Sequence, residues 1–279
     1  MSRLKFYQTQ GKAYFRCGVA SYGTSTTFFD AIYAACDLRS AMGPEVRLLD
    51  AMAGPGKLGL AIKERYAQEG IRGQELILSF NDGRAEALSA LSASGFTTVA
   101  CDVREIGMHV TGMDRVTVRY AIKDLPEGEA EAALSAIREV LVPGGKVILG
   151  EMTADSVEAQ RGIIEVHGAK QVLAGRDIRS DGSCFIPMLE QWVQYAQNAG
   201  LVNVQVTYRG YSDVVVGDWK GQFSKGADDE EMIMQMRKVV RSTAQANAVF
   251  RNETRTHHDV TGEWHVSFPI LVLTAEKRA

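Results

Sequence analysis

The sequence of 279 residues lacks the signatures of several protein classes. Its four cysteines, Cys17, Cys36, Cys101 and Cys184, are scattered without C-x-x-C spacing, which argues against a disulfide framework and a zinc site. No apolar run approaches the roughly 18 residues of a membrane span, and the N-terminus lacks the apolar stretch of a signal peptide. The net charge of -3 gives no general electrostatic attraction to nucleic acid or an acidic membrane. We therefore expect a cytoplasmic protein without a nucleic-acid or membrane partner.

The sequence is rich, by contrast, in short apolar runs that alternate with amphipathic helices. Between residues 46 and 152, five candidate strands ("VRLLDAM", "ELILSFND", "TTVACD", "MDRVTVRYAI" and "KVILGEM") alternate with helices. Such alternation predicts βαβ units and a parallel sheet. Two later strands, "VNVQVTY" and "HVSFPILVLTAEK", bring the expected α/β fold to seven mostly parallel strands with helices on both faces.

Three segments fall outside this pattern and are predicted to wall off a pocket. Residues 1–45 read as a helical lid that includes the amphipathic "TTFFDAIYAACDL", and residues 153–187 show no clear strand. Residues 210–262 contain the long helix "DDEEMIMQMRKVVRSTAQANAVF" between two strands expected to pair antiparallel. A connection of about fifty residues far exceeds an ordinary hairpin loop and so suggests a function. We expect residues 46–279 to form one domain with these lids. A homodimer interface on the long helix is the alternative.

The stretch "LLDAMAGPGKLGLAI" places Asp50 before a G-x-G-x-x-G that includes Gly54 and Gly56. Such a loop can hold a pyrophosphate at a helix N-terminus, but an adjacent carboxylate opposes that use. Two like charges about 4 Å apart cost about 4 kcal/mol at an effective dielectric of about 20. Asp50 therefore favours a cationic ligand without phosphate, such as S-adenosylmethionine (SAM). The alternative is that Asp50 caps the turn or the helix.

Further motifs follow this loop in a fixed order. "CDV" follows strand three, "VRYAIKDLP" follows strand four, "IREVLVPGGKVIL" leads into strand five and "YAQNAGLVNVQV" leads into strand six. Together with the glycine loop they resemble the class I SAM-dependent methyltransferases, especially the ubiquinone/menaquinone-biosynthesis type and small natural-product methyltransferases. The resemblance implies a Rossmann-like fold, SAM as cofactor, and methyl transfer to O, N or C of a small molecule.

The resemblance also implies which residues hold the cofactor. In the family an acid at the end of strand two binds the ribose, and here Asn81 or Asp82 must take that role. Asp102 and Val103 match the loop that meets the adenine, and Arg119 and Tyr120 follow strand four. The full set implied for SAM is Asp50, Ala51, Gly54, Gly56, Asn81, Asp82, Asp102, Val103, Arg119 and Tyr120.

The residue that removes a proton from the acceptor is the least defined feature. His167 lies in the expected lid after strand five, His257 lies in the long insertion, and Tyr120 follows strand four; these are the catalytic candidates. Each has an ordinary alternative, for instance an exposed helix position for His167. Adjacent histidines such as His257 and His258 usually point apart, so no metal site is expected. N-terminal aromatics could cover a sulfonium or simply pack a lid; they are Tyr7, Tyr14, Phe15 and Tyr22.

Three other functions stay open at this point. The same fold could use SAM for chemistry other than methyl transfer, or the chain could be a SAM-binding partner without catalysis. An NAD(P)-dependent oxidoreductase is the third alternative. Asp50 and the "AGLVNV" approach to strand six argue against this last one.

Overall fold

The computed structural model describes residues 26–41, 43–71, 73–126, 128–175, 185–219 and 229–279. The N-terminal aromatics Tyr7, Tyr14, Phe15 and Tyr22 lie outside these residues. The strands are β1 (Glu45–Asp50), β2 (Glu75–Asp82), β3 (Thr97–Ala100), β4 (Met113–Arg119), β5 (Leu141–Met152), β6 (Val202–Val215), β7 (His257–His258) and β8 (Trp264–Glu276). The α-helices are α1 (Thr26–Cys36), α2 (Lys57–Gln68), α3 (Ala85–Ala93), α4 (Ala130–Val140), α5 (Val157–Leu173), α6 (Leu189–Asn198), α7 (Asp229–Ala246) and α8 (Ala248–Glu253).

The described strands form one sheet in the order β3-β2-β1-β4-β5-β8-β6, with β7 paired to β8. Strands β1 to β5 are parallel, and β8 runs antiparallel between β5 and β6. The expected α/β fold is therefore confirmed, with the two-residue β7 added. The chain reverses its direction of winding between β1 and β4, and ligands of such sheets bind at the carboxyl ends of the strands there.

Two apolar layers cover the sheet. One face packs against α1, α2 and α3, and it continues into the buried sides of α5 and α7. The other face packs against α4 and α6, whose buried residues include Leu134, Ile137 and Trp192. Helices therefore cover both faces, as the alternating pattern predicts. None of the described helices is long and apolar enough to cross a membrane.

Helix α1 belongs to the core of the domain. Phe28 and Ile32 contact the sheet where β5 has Gly150, and a Cβ at that glycine would lie 2.7 Å from Ile32. The buried Arg115 of β4 donates to the carbonyls of Cys36 and Asp37 and so ties down the end of α1. The described part of the expected N-terminal lid is thus a packed helix.

The segment expected at 210–262 differs from the prediction at its start. Strand β6 continues to Val215 and pairs with β8 up to His265, so both strands extend beyond the end of β5. The insertion, defined here as residues 216–263, begins after this extension. Its long helix also stops earlier than expected, because the Asn247 side chain accepts the N–H of Phe250 and starts α8.

The insertion packs on α5, the helix formed within the expected lid segment 153–187. Phe250 of α8 lies against Gly162 of α5, where a Cβ would approach its ring within 2.5 Å. Asn247 also donates to the carbonyl of Glu158, and Ser156 donates to Glu253. The described parts of the two segments therefore form one layer beyond the carboxyl end of β5.

Candidate active site at the carboxyl edge of the sheet

The glycine loop, residues 51–56, connects β1 to α2 at the carboxyl edge of the sheet. Gly54 and Gly56 both have positive φ, 55° and 76°. Apart from its chain neighbours, none of the described residues has a heavy atom within 4 Å of a Cβ built on Gly54, whereas one on Gly56 would lie 2.7 Å from Leu91 and 2.8 Å from Phe80. Gly54 therefore faces open space that a ligand can fill, and Gly56 is required by the packing of α2 and α3 on the sheet.

Asp50 is buried at the end of β1, and both of its carboxylate oxygens have protein partners. Oδ2 accepts the N–H of Gly59, 2.9 Å away, and Oδ1 accepts the hydroxyl of Thr117 at 3.2 Å. Burial raises the pKa of Asp50 to about 6. Through the Gly59 bond Asp50 holds the first turn of α2, which agrees with the capping role considered as the alternative in the sequence analysis. A contact between Asp50 and a ligand stays a prediction.

At the end of β2, the two candidate residues for binding the ribose have different hydrogen-bond partners. The fully buried amide of Asn81 donates to the carbonyls of Val99 and Cys101 and accepts the N–H of Met52. The Asp82 carboxylate instead reaches the glycine loop, where Oδ2 accepts the N–H of Gly54 at 2.8 Å. Asn81 thus joins β2 to β3, and Asp82 is the carboxylate beside the open glycine.

Asp82 and Asp102 are each paired with an arginine two residues later. Arg84 donates to Asp82 from its backbone N–H and its Nε. Arg104 does the same to Asp102, which lowers the pKa of that carboxyl. Asp102 thereby caps the short helical turn Val103–Met108, in which Val103 is buried.

Arg119 and Tyr120 lie at the end of β4, near the start of α1. Tyr120 has a φ of 52°, a backbone conformation that residues other than glycine rarely adopt. Its ring stacks on Phe28 with the centroids 5.5 Å apart, and the Arg119 guanidinium lies 5.9 Å from the Tyr120 centroid. Backbone strain of this kind is common at functional sites.

A cluster of buried ionisable side chains lies beside the β4 loop, defined as residues 120–124. Nζ of Lys123 lies 2.6 Å from Asp124 and 3.3 Å from Nε2 of His167 on α5. Burial lowers the pKa of His167 to about 4, so its imidazole is neutral at pH 7. His167 is therefore buried next to the β4 loop. It does not occupy an exposed helix position, which was the alternative for this residue.

Sequence reasoning missed Glu151 in this cluster. It is fully buried at the end of β5, and Oε1 accepts the N–H groups of Ala121 and Ile122, each at 2.9 Å. Burial raises the pKa of Glu151 to about 7. The available signal was a lone acid in the otherwise uncharged run "VILGEM".

His257 lies apart from this cluster. It is exposed on β7, where its ring stacks on His265 with centroids 5.0 Å apart. His265 in turn contacts Asp259, and His258 packs against Trp264. His257 therefore lies near the end of the insertion, beside the start of β8. Its catalytic role stays a prediction.

A cavity of about 450 Å³ lies elsewhere, lined by Arg39, Glu69, Ile71 and Gln74. These residues precede or flank the start of β2, at the amino ends of the parallel strands. Ligands of doubly wound sheets bind at the opposite edge. We therefore place the candidate site at the glycine and β4 loops.

Comparison with known proteins gives one curated relative of stated function. The chain is 26% identical over 129 residues to the ubiquinone/menaquinone biosynthesis C-methyltransferase UbiE of Xanthomonas oryzae pv. oryzae (strain MAFF 311018), a match that covers 46% of this chain and 50% of that protein. The chain thus spans about half the length of the curated relative it matches. No protein-family model matches the chain.

Solved structures match over far more of the chain. The YcgJ protein from Bacillus subtilis superposes with a TM-score of 0.69 at 15% identity, over 91% of this chain and 99% of that chain. Phosphoethanolamine N-methyltransferase 2 of Haemonchus contortus, in complex with phosphomonomethylethanolamine and S-adenosylhomocysteine, superposes with a TM-score of 0.51 at 16% identity, over 100% of this chain and 61% of that chain. The chain has the fold of the class I SAM-dependent methyltransferases. The resemblance read from the ordered motifs is thereby confirmed.

The described residues fit the cofactor of this methyltransferase fold. Gly54 leaves open the space that its Cβ would occupy, and the Asp82 carboxylate accepts its N–H. Asp102 follows β3, the strand next to β2, at the same edge of the sheet. The cations nearest to them in sequence, Arg84 and Arg104, are engaged by those same carboxylates. Such an acidic lining suits a ligand with a sulfonium, an ammonium and sugar hydroxyls better than a pyrophosphate.

Proposed function

We propose that this chain binds SAM at the glycine loop and transfers its methyl group to a small-molecule acceptor. The observation that carries the proposal is the open Gly54, whose N–H is held by Asp82 at the carboxyl edge of a methyltransferase fold. The C-methyltransferase relative and the N-methyltransferase structure support the same chemistry. They leave O, N and C open as the accepting atom.

The residues that would hold the cofactor follow from the contacts and the family resemblance. The backbone around Gly54 would approach the amino-acid moiety, Asp82 would meet the ribose hydroxyls, and Asp102 with Val103 would border the adenine. Bound SAM supplies a methyl group on a sulfonium, which is already a strong electrophile. This chain then has to align the acceptor, exclude water and hold the acceptor's proton where required.

The β4 loop together with Arg119 borders both the cofactor and the acceptor in the proposed site. Tyr120 presents its ring towards Phe28 at the start of α1, and His167 and Glu151 lie buried behind the loop. Tyr120, His167 and His257 remain the proposed residues for proton removal. The insertion and α5 are proposed as the wall of the acceptor pocket, because they form one layer beyond the end of β5.

Calorimetry with the purified protein tests the cofactor. We expect binding of SAM and S-adenosylhomocysteine and far weaker binding of NAD. Micromolar binding of NAD without any response to SAM would overturn the proposal.

Product analysis then tests the reaction. We expect S-adenosylhomocysteine to form from SAM when the protein is incubated with a panel of phenols, hydroquinones, carboxylic acids and amines. SAM binding without product from any acceptor would favour a SAM-binding partner or chemistry other than methyl transfer.

A further inference from the structure

The β4 loop is held by the end of β5 through three successive backbone N–H groups. The N–H of Tyr120 donates to the carbonyl of Gly150 at 2.9 Å. The next two N–H groups, of Ala121 and Ile122, both donate to Oε1 of Glu151 at 2.9 Å. The first belongs to the backbone of β5, and the other two depend on a single side chain.

A glutamate at position 151 lowers the stability of the fold. It is fully buried, and its second oxygen, Oε2, lacks a hydrogen-bond partner among the described residues. Burying a carboxylate without full compensation is unfavourable, and an amide oxygen could accept the same two N–H groups without charge. An ionised carboxylate, however, accepts stronger hydrogen bonds than a neutral oxygen. The arrangement therefore favours a firm hold on the loop over stability.

The loop held in this way has the geometry of a functional segment. It starts at Tyr120 in a left-handed conformation and follows Arg119 directly. A strained residue persists only when its surroundings fix it, and here the three N–H bonds provide that restraint. Glu151 makes no hydrogen bond to the glycine loop. The N–H of Gly54 in that loop is bonded to Asp82, and the N–H of Gly59 in α2 is bonded to Asp50.

We infer that Glu151 is a positioning residue for the proposed methyl transfer: it fixes the β4 loop, and with it Arg119 and Tyr120, without holding the glycine loop. This inference rests on the proposed function for its role in catalysis. Its structural part, the hold of Glu151 on the loop, can be measured without any substrate.

The charged groups around Glu151 make its hold depend on pH. Lys123 and Asp124 face it from the β4 loop, and His167 of α5 lies beyond Lys123. Burial raises the pKa of Glu151 to about 7, so the carboxyl loses its proton as the pH rises through neutrality. The ionised form accepts the stronger bonds, but an opening of the loop that admits water to Glu151 lowers its pKa towards the usual value of an exposed carboxyl. The held loop therefore binds the proton more tightly than the opened loop, and it should be held more tightly at pH 6 than at pH 8.

Amide hydrogen exchange by NMR tests the inference with two variants, Glu151→Leu and Glu151→Gln, and with Glu165→Gln on the exposed side of α5 as the matched control. In Glu151→Leu we expect the protection of the Ala121 and Ile122 amides to fall at least tenfold. The Gly59 amide, held by Asp50, should keep its protection. Glu151→Gln should restore protection to within threefold of the unmodified protein, as should the control.

The pH dependence separates a positioning role from a merely structural one. After correction for intrinsic exchange, the protection of both amides should decrease from pH 6 to pH 8 in the unmodified protein and stay constant in Glu151→Gln. This comparison decides the matter even if Glu151→Leu does not fold. Unchanged protection in folded Glu151→Leu, or a pH dependence that survives in Glu151→Gln, would overturn the inference. Failure of the unmodified protein to bind SAM, with the exchange as expected, would instead refute the proposed function and leave the hold of Glu151 on the loop in place.

Discussion

At the scale of single residues, Gly54 and Gly56 belong to one motif but serve different ends. We expect Gly54→Ala to fold with a loss of only about 1–2 kcal/mol, the strain of a side chain in the left-handed region, and to bind SAM at least tenfold more weakly. Gly56→Ala carries the same strain and also overlaps Leu91 and Phe80, so it should lose about 2–5 kcal/mol of unfolding free energy. Urea unfolding and calorimetry measure the two effects.

Gly73→Ala serves as a control for this pair, since Gly73 also has positive φ and open surroundings but lies away from the loop. It should show the strain without the loss of SAM affinity. Equal stability of the Gly54 and Gly56 variants would contradict the packing role assigned to Gly56.

His167 gives a pH-dependent prediction of definite sign. Its pKa falls from about 6.5 in the unfolded chain to about 4 in the fold, so the folded protein resists protonation of this group. The resulting stability is present above about pH 6.5 and is lost as the pH falls towards about 4. Compared with the unmodified protein, His167→Gln should therefore become relatively more stable over that interval. Denaturant unfolding at several pH values measures the difference, and a constant difference would show that His167 does not titrate as described.

Glu151 and Asp50 act in the opposite direction. Their pKa values are raised, to about 7 and about 6, so the folded state binds their protons more tightly than the unfolded state. Stability from these two groups is lost as the pH rises from about 4 through those values. Glu151→Gln should accordingly gain stability over the unmodified protein between pH 5 and pH 8, as thermal unfolding would show. A gain that is equal at both ends of this range would contradict the raised pKa.

Single residues also mark the limit of sequence reasoning. The glycine loop and the end of β2 could be located from spacing, because a strand followed by glycines is a local pattern. The choice between Asn81 and Asp82 could not, since it depends on which side chain β3 engages. The role of Glu151 could not be predicted from the sequence, because its partners, Ala121 and Ile122, lie about thirty residues away.

At the scale of elements, the contact between α5 and α8 can be tested by a double-mutant cycle on Gly162 and Phe250. Phe250→Ala should cost about 3–5 kcal/mol, because it leaves a cavity in the core. Gly162→Ala should destabilise the unmodified protein, since its Cβ would overlap the Phe250 ring at 2.5 Å. In the Phe250→Ala background the same change should be neutral or favourable, because alanine suits a helix better than glycine. Additive effects would show that α5 and α8 do not pack as described.

The strands and helices of residues 46–152 follow from periodicity and turn residues, so the sequence predicts them well. The extension of β6 to Val215 does not, because "RGYSDVV" contains a glycine, a serine and an aspartate that suggest a turn. Pairing with β8 overrides that local preference. The break at Asn247 was likewise hidden inside an uninterrupted helical pattern.

For the whole molecule, the proposed cofactor should stabilise the fold. At a SAM concentration of about 100 times its dissociation constant, mass action adds about 2.7 kcal/mol to the free energy of unfolding. We expect a rise in melting temperature with SAM and with S-adenosylhomocysteine, and none with NAD at the same concentration. Thermal unfolding followed by tryptophan fluorescence suits this test, because Trp192 and Trp219 are buried. A larger shift with NAD than with SAM would contradict the proposed ligand.

The position of β8 in the sheet has a consequence for the order in which the molecule is assembled during synthesis. This strand is the last of the described strands in the sequence, yet it lies between β5 and β6 and forms the ladder that joins them. Until Trp264–Glu276 leaves the ribosome, β5 and β6 each expose an open edge, and such edges pair readily with other chains. The growing chain therefore passes through a stage in which the sheet is incomplete beyond β5 and prone to aggregation, and β8 then completes the sheet from the inside.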